Sequence, residues 1–115
     1  MMNKPDIQRL SHFTFEQSTV PAFWIKADGE IVHVNEAACQ YSGYAVDHIV
    51  GKKIYDLHPE EDEETWKARW RKLKERKRVI FEKWQPHHNG TWLRIKVTQN
   101  LIEADGTEYT VSLVE

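Results

Sequence analysis

Residues 27 to 59 read ADGEIVHVNEAACQYSGYAVDHIVGKKIYDLHP. The stretch holds an Asp28-Gly29 turn, a short apolar alternation, Asn35, two further glycines at 43 and 51, and a closing Pro59. Just before it, AFWIKA (22–27) has the composition of a strand, and EIVHVN (30–35) has that of its hairpin partner across Asp28-Gly29. Asn35 stands where this second strand stops and EAACQYSG begins, the place of an N-cap whose side chain satisfies an orphan backbone N–H. Gly43 ends that helix. AVDHIV (45–50) is a second helical piece closed by Gly51, and KKIYDLHP (52–59) a third closed by Pro59. Three helical pieces this short cannot bundle, so the stretch reads as a connection draped over a sheet. No residue set in it resembles a catalytic site.

Downstream, EEDEETWKARWRKLKERKR (60–78) predicts one longer helix. Trp66, Trp70 and Leu73 fall at i, i+4 and i+7, giving an apolar stripe, and its acids precede its bases as the helix dipole favours. VIFEKWQP (79–86), TWLRIKVTQNLI (91–102) and EYTVSLVE (108–115) read as strands joined by the turns HHNG and ADGT. In the middle strand Leu93, Ile95 and Val97 share one face, and Trp92, Arg94 and Lys96 the other. Upstream, Ile7, Leu10 and Phe13 recur at helical spacing after Pro5, until Pro21 breaks the pattern. The fold class is α+β: a five-stranded antiparallel sheet with the helices gathered on one face. Residues 1–20 are expected to be a flanking amphipathic helix and 21–115 the domain.

Composition sets the class. A chain of 115 residues with 40% hydrophobic residues, five Trp, four Tyr and four Phe supports one core. The 30% charged fraction and net charge of -2 exert no global pull on nucleic acid or anionic membrane. Cys39 is the only cysteine, which excludes an intramolecular disulfide and a multi-thiolate zinc site. No apolar run is long enough to span a bilayer and the first residues lack a secretory core, so the expected location is the cytoplasm.

In order and spacing, these elements resemble a PAS domain, the sensory module of bacterial signalling proteins. The residues that carry the resemblance are the Asp28-Gly29 turn, Asn35 with Ala37, Gly43-Tyr44, Ile49 with Gly51, Asp56-Leu57 with Pro59, the Asn89-Gly90 turn before Trp92, and Asp105-Gly106. It implies that the punctuated segment walls an internal cavity, and that the chain binds and relays rather than catalyses. It also implies excision from a longer protein, a diguanylate cyclase or a sensor histidine kinase, since the chain stops at SLVE, where such proteins continue into a linker and output domain. A PAS-like dimerisation module with no ligand is the alternative.

Family members hold haem, flavin, a small metabolite or nothing. Light-oxygen-voltage relatives carry a reactive Cys in the helical piece that here reads GKKIYDLHP, which has none. Cys39 sits in the earlier helix, as a small inert thiol would. Haem-binding members use a His on the long helix, and residues 60–78 contain none. His58, beside Pro59, reads as a capping or surface group, and the adjacent His87 and His88 diverge at a hairpin tip without a third ligand. Haem, flavin and metal are therefore not expected. The cavity candidates are Ile25, Tyr41, Ile54, Leu57, Trp70, Phe81, Leu93 and Ile95, all of which serve core packing equally well.

The basic run from Lys67 to Arg78 is the feature that suggests nucleic acid. A solvated helix face explains it as well, and the acids from Glu60 to Glu64 would repel a phosphate backbone. We expect no nucleic acid and no direct membrane contact. The EEDEE carboxylates fan around a helix instead of converging on a cation, and no nucleophile elbow or phosphate loop is present. On the last strand Tyr109, Val111 and Leu113 share a face that the helices leave open. Ile7, Leu10 and Phe13 can pack there, within the chain or across a homodimer, which is the expected state.

Overall fold

The computed structural model describes residues 19–58, 61–86 and 90–115. The strands are β1 (Ala22–Lys26), β2 (Ile31–Val34), β3 (Arg78–Pro86), β4 (Trp92–Ala104) and β5 (Thr107–Val114). Between β2 and β3 lie α1 (Glu36–Ser42), α2 (Val46–Ile49), α3 (Ile54–Leu57) and α4 (Glu63–Arg76). All strand pairs are antiparallel in the order β2-β1-β5-β4-β3, so the last strand sits in the centre of the sheet beside the first.

Strand alternation divides the side chains between two faces. Phe23, Ile25, Ile31, Val34, Ile95, Val97 and Val114 point to one side and form a single core with Ala38, Ile49, Ile54 and Trp66 from the helical layer. Trp24 pairs with Val111, and Ile102 with Tyr109, on the other side. The edge strand β2 is not left bare: Ile31 N–H donates to Lys52 O and Gly51 N–H to Ile31 O. That covers a sheet edge which would otherwise template pairing with another chain.

The helix ends follow local chemistry. Asn35 caps α1 by accepting from Ala38 N–H, and Gly43, at φ 80°, donates its N–H to Cys39 O. Asp62 caps α4 by accepting from Thr65 N–H. The long helix is shorter than its charge pattern suggests. Lys77 takes a left-handed conformation at φ 69° and returns its N–H to Leu73 O, so Lys77 and Arg78 fall outside the helix and Arg78 opens β3.

The hairpin between β1 and β2 turns through Ala27, Asp28 and Gly29 and docks onto α3. Ile54 N–H donates to Gly29 O at 2.8 Å, and Gly29 has φ +90°. A Cβ there would stand 2.8 Å from Tyr55 Cε1. Gly29→Ala therefore combines left-handed strain with a clash, and the expected loss is about 1–3 kcal/mol in urea unfolding. An unchanged midpoint would show that the turn does not need glycine.

Candidate functional site

Between the inner sheet face and the helices lies a cavity of about 40 Å³, room for two or three waters. Its apolar wall includes Phe23, Ile25, Phe81, Ile95, Val97 and Val114 from the sheet, with Tyr41 from α1 and Ile54 from α3. The remaining lining residues are polar: His58, Glu61, Arg69, Lys83, Gln85, Gln99 and Ser112.

These polar groups are organised. Glu61, 6% exposed in the loop before α4, receives Arg69 Nη1 at 2.9 Å and Lys83 Nζ at 3.0 Å on the same oxygen, Oε1. Glu61 thereby ties the loop to both α4 and β3. The Arg69 guanidinium lies 4.1 Å from the centroid of the Phe81 ring, a cation–π contact. His58 Nδ1 is 3.3 Å from Gln85 Nε2. Gln99 Nε2 donates to Ser112 Oγ at 3.4 Å, while Gln99 Oε1 is buried without a partner.

A family profile described as PAS domain matches residues 20–115. The chain belongs to the PAS domain family. No curated protein matches it. A PAS domain of an HTR-like protein from Haloarcula marismortui has a similar structure, with TM-score 0.79 and 21% identity, covering 94% of this chain and 96% of that one. The PAS domain of a protein from Colwellia psychrerythraea gives TM-score 0.80 and 16% identity, covering 96% of each chain. A domain of a sensory box sensor histidine kinase/response regulator from Geobacter sulfurreducens gives TM-score 0.76 and 19% identity, covering 92% and 91%. At these identities the structures establish a shared fold, and the family assignment makes the chain a sensory domain.

Of the apolar residues proposed from the sequence, Ile25, Tyr41, Ile54, Phe81 and Ile95 line the cavity of this PAS domain. Leu57 and Trp70 pack against the core without lining the cavity, and Trp70 lies against Trp66 with ring centroids 6.2 Å apart. Leu93 is 39% exposed and lies outside the cavity. It keeps the inward phase of Ile95 and Val97 while remaining exposed. His58, half-buried, closes the end of α3 by donating its N–H to Ile54 O, and it also lines the cavity.

Sequence reasoning missed the polar half of the lining. The available signal was phase. Lys83 and Gln85 continue the inward alternation of Phe81, Gln99 continues that of Ile95 and Val97, and Ser112 precedes Val114 by two. As folded, the cavity does not fit haem or flavin. Its volume is far below that of either group. Among the described residues, no three His, Cys, Asp or Glu side chains come together as a metal site requires, and no helix is long and apolar enough to cross a membrane.

Tyr109, Val111 and Leu113 stand half-buried on the outer face, where the Tyr109 and Trp24 rings lie 5.7 Å apart. Ile80, Trp84 and Trp92 extend that face and are more than half exposed. Ile7, Leu10 and Phe13 lie outside the described residues.

Glu61 makes the site sensitive to pH. Burial pushes its pKa up, but Arg69 and Lys83 outweigh burial and hold it below the usual carboxylate range. A carboxylate with a depressed folded-state pKa contributes stability above its unfolded pKa, and that contribution fades as pH falls through the folded value. Glu61→Gln is therefore expected to be less stable than wild type near neutral pH, and the gap should close on acidification below about pH 4. Denaturant titrations across this range check it; a gap independent of pH would contradict the ionic role.

Proposed function

We propose that this PAS domain senses a small molecule in the cavity and relays its presence through the sheet to the outer face. The observation that carries the reading is the set of hydrogen-bonding side chains buried in the inward phase around a partly open cavity. A core serving stability alone gains nothing from Gln85, Gln99 and Ser112 at such positions, because buried amides and hydroxyls are costly unless matched. The kinase source of one similar structure supports an output of that kind, with a diguanylate cyclase as the other output considered. Catalysis then belongs to the output domain, and the signalling protein works in the cytoplasm.

Relay requires an outer contact that differs between the empty and occupied states. Tyr109, Val111 and Leu113 supply an apolar row for it, with Ile7, Leu10 and Phe13 as the covering segment and a homodimer as the assembly. The small cavity volume favours one second reading, a dimerisation module that takes no ligand. Sedimentation of the intact chain and of a version lacking residues 1–15 tests the contact: a dimer weakened by truncation is expected, and two soluble monomers over a wide concentration range would overturn it. A thermal-shift panel of small metabolites separates sensor from ligand-free module, since a ligand binding only the folded state raises the melting temperature.

A further inference from the structure

We propose that the open edge of β3 pairs with the same edge of a second copy of this chain, antiparallel across a two-fold axis at Ile80, so that two sheets join into one. This interface is separate from the apolar row on β5 and makes no demand on the cavity. Of the two ends of the sheet, β2 is covered by Gly51 and Lys52, whereas β3 has only β4 beside it among the described residues.

The phase of the hydrogen bonds shows what that edge presents. Lys96 and Glu115 exchange backbone bonds at 2.8 Å, so the even-numbered residues of β4 bond on the β5 side. Leu101 N–H donates to Lys77 O at 2.8 Å, so the odd-numbered residues bond on the β3 side, and the register between β3 and β4 is unbroken. Antiparallel bonding alternates along a strand. Val79, Phe81 and Lys83 are therefore bonded to β4. The N–H and C=O groups of Arg78, Ile80 and Glu82 point away from the sheet, with no backbone partner among the described residues. Such a row is a template for another strand. A lysine often guards an edge of this kind, but Lys83 is turned inward, its Nζ 3.0 Å from Glu61 Oε1.

The side chains select the occupant. Residues 78–82 read RVIFE, a base, three apolar residues and an acid, which is complementary to itself in the antiparallel direction. Only residues whose backbone groups point outward can meet across the edge. With the axis at Ile80, Arg78 stands opposite the partner's Glu82, Ile80 opposite the partner's Ile80, and on the inner face Val79 opposite the partner's Phe81. An axis at Glu82 would set two carboxylates face to face, and an axis at Phe81 would set each Glu82 against an isoleucine. Opposite charges and apolar pairs directly across stabilise an antiparallel pair, and like charges destabilise it. The groups needed are available. Ile80 is 51% exposed, and Arg78 is exposed with no side-chain partner among the described residues. Glu82 accepts from Arg94 Nε and Nη2 on Oε2 alone, which leaves Oε1 for an incoming guanidinium.

Sedimentation equilibrium of the full 115-residue chain, up to about 1 mM, tests the pairing with two charge reversals, Arg78→Glu and Glu82→Arg. An edge contact this small is weak, with an expected dissociation constant on the order of 100 µM. Either reversal alone places like charges opposite each other at both ends of the contact and should weaken association at least about tenfold. An equimolar mixture of the two variants restores both opposite-charge pairs in the mixed dimer, and its association should return to within about threefold of wild type. Neither misfolding nor loss of the Arg94 bond is repaired by mixing, so recovery isolates the contact. The axis is checked by Ile80→Cys in a Cys39→Ala background. A hydrogen-bonded antiparallel pair has Cα atoms about 5.5 Å apart, within disulfide reach, so mild oxidation should give a covalent dimer far faster than Trp84→Cys does. A dimer indifferent to both reversals places the contact elsewhere, on the outer-face row, and overturns the proposal. So does failure of the mixture to recover, or a wild-type monomer at every concentration, including one whose own residues 1–15 lie along the edge. Association without the Ile80→Cys cross-link overturns the register.

Discussion

Trp66→Ala is expected to remove about 3–5 kcal/mol of unfolding free energy, a large part of what a domain of this size possesses. The indole is 1% exposed and belongs to the core shared by sheet and helices. Its Nε1–H donates to Ala27 O at 2.9 Å, which fastens the middle of the covering layer to the β1–β2 turn, and its ring packs on Trp70. Truncation leaves a large hole between two layers that are each held in place by other contacts, so the hole cannot close fully. Trp66→Phe keeps most of the buried area and loses the hydrogen bond, and should cost less, about 1–3 kcal/mol. Denaturant unfolding measures both. A loss below about 1 kcal/mol for Trp66→Ala would mean that α4 is not the lid of this core.

Asn35→Ala is expected to cost about 2–4 kcal/mol, well beyond an ordinary helix cap. The side chain is completely buried. Its Oδ1 accepts from Ala38 N–H at 2.9 Å and from Ala22 N–H at 3.0 Å, and its Nδ2 donates to Val20 O at 2.9 Å. One residue therefore starts α1 and ties the chain entering β1 to the end of β2. Alanine strips these hydrogen bonds from a site that water does not reach. Asp62→Ala is the comparison: that cap accepts from Thr65 N–H and Thr65 Oγ1 at an exposed position, where water can replace it, so the expected loss is about 1 kcal/mol. Equal losses at the two caps would show that Asn35 acts only on its helix.

The two caps also show where the sequence is informative. Asn35 and Gly43 announce α1 because capping and left-handed closure depend on short-range chemistry that residue type reveals. The hairpins, the apolar stripe of α4 and the period-two strands were legible for the same reason. The end of α4 was not, because Lys77 adopts the left-handed closure usually left to glycine, and a run of bases hides the change from helix to strand. Leu93 shows a different limit. Alternation gives the face a residue points to, but whether another element covers that position depends on the tertiary arrangement. The polar lining is subtler still. Lys83, Gln85 and Gln99 look like surface residues by type, and only their phase with Phe81, Ile95 and Val97 places them inside. Arg69 and Glu61 could not be joined from sequence, since the loop before α4 brings them together in three dimensions.

Side-chain methyl NMR during titration with the compounds that raise the melting temperature in the thermal-shift panel tests most directly whether this domain couples its cavity to its outer face. The methyl groups of Ile25, Ile54 and Ile95 report on the cavity, and those of Ile102 with the Trp24 indole N–H report on the opposite side of the sheet. For any compound that binds, the account predicts that both sets shift together with one midpoint. Saturation of the cavity signals while Ile102 and Trp24 remain fixed would contradict it.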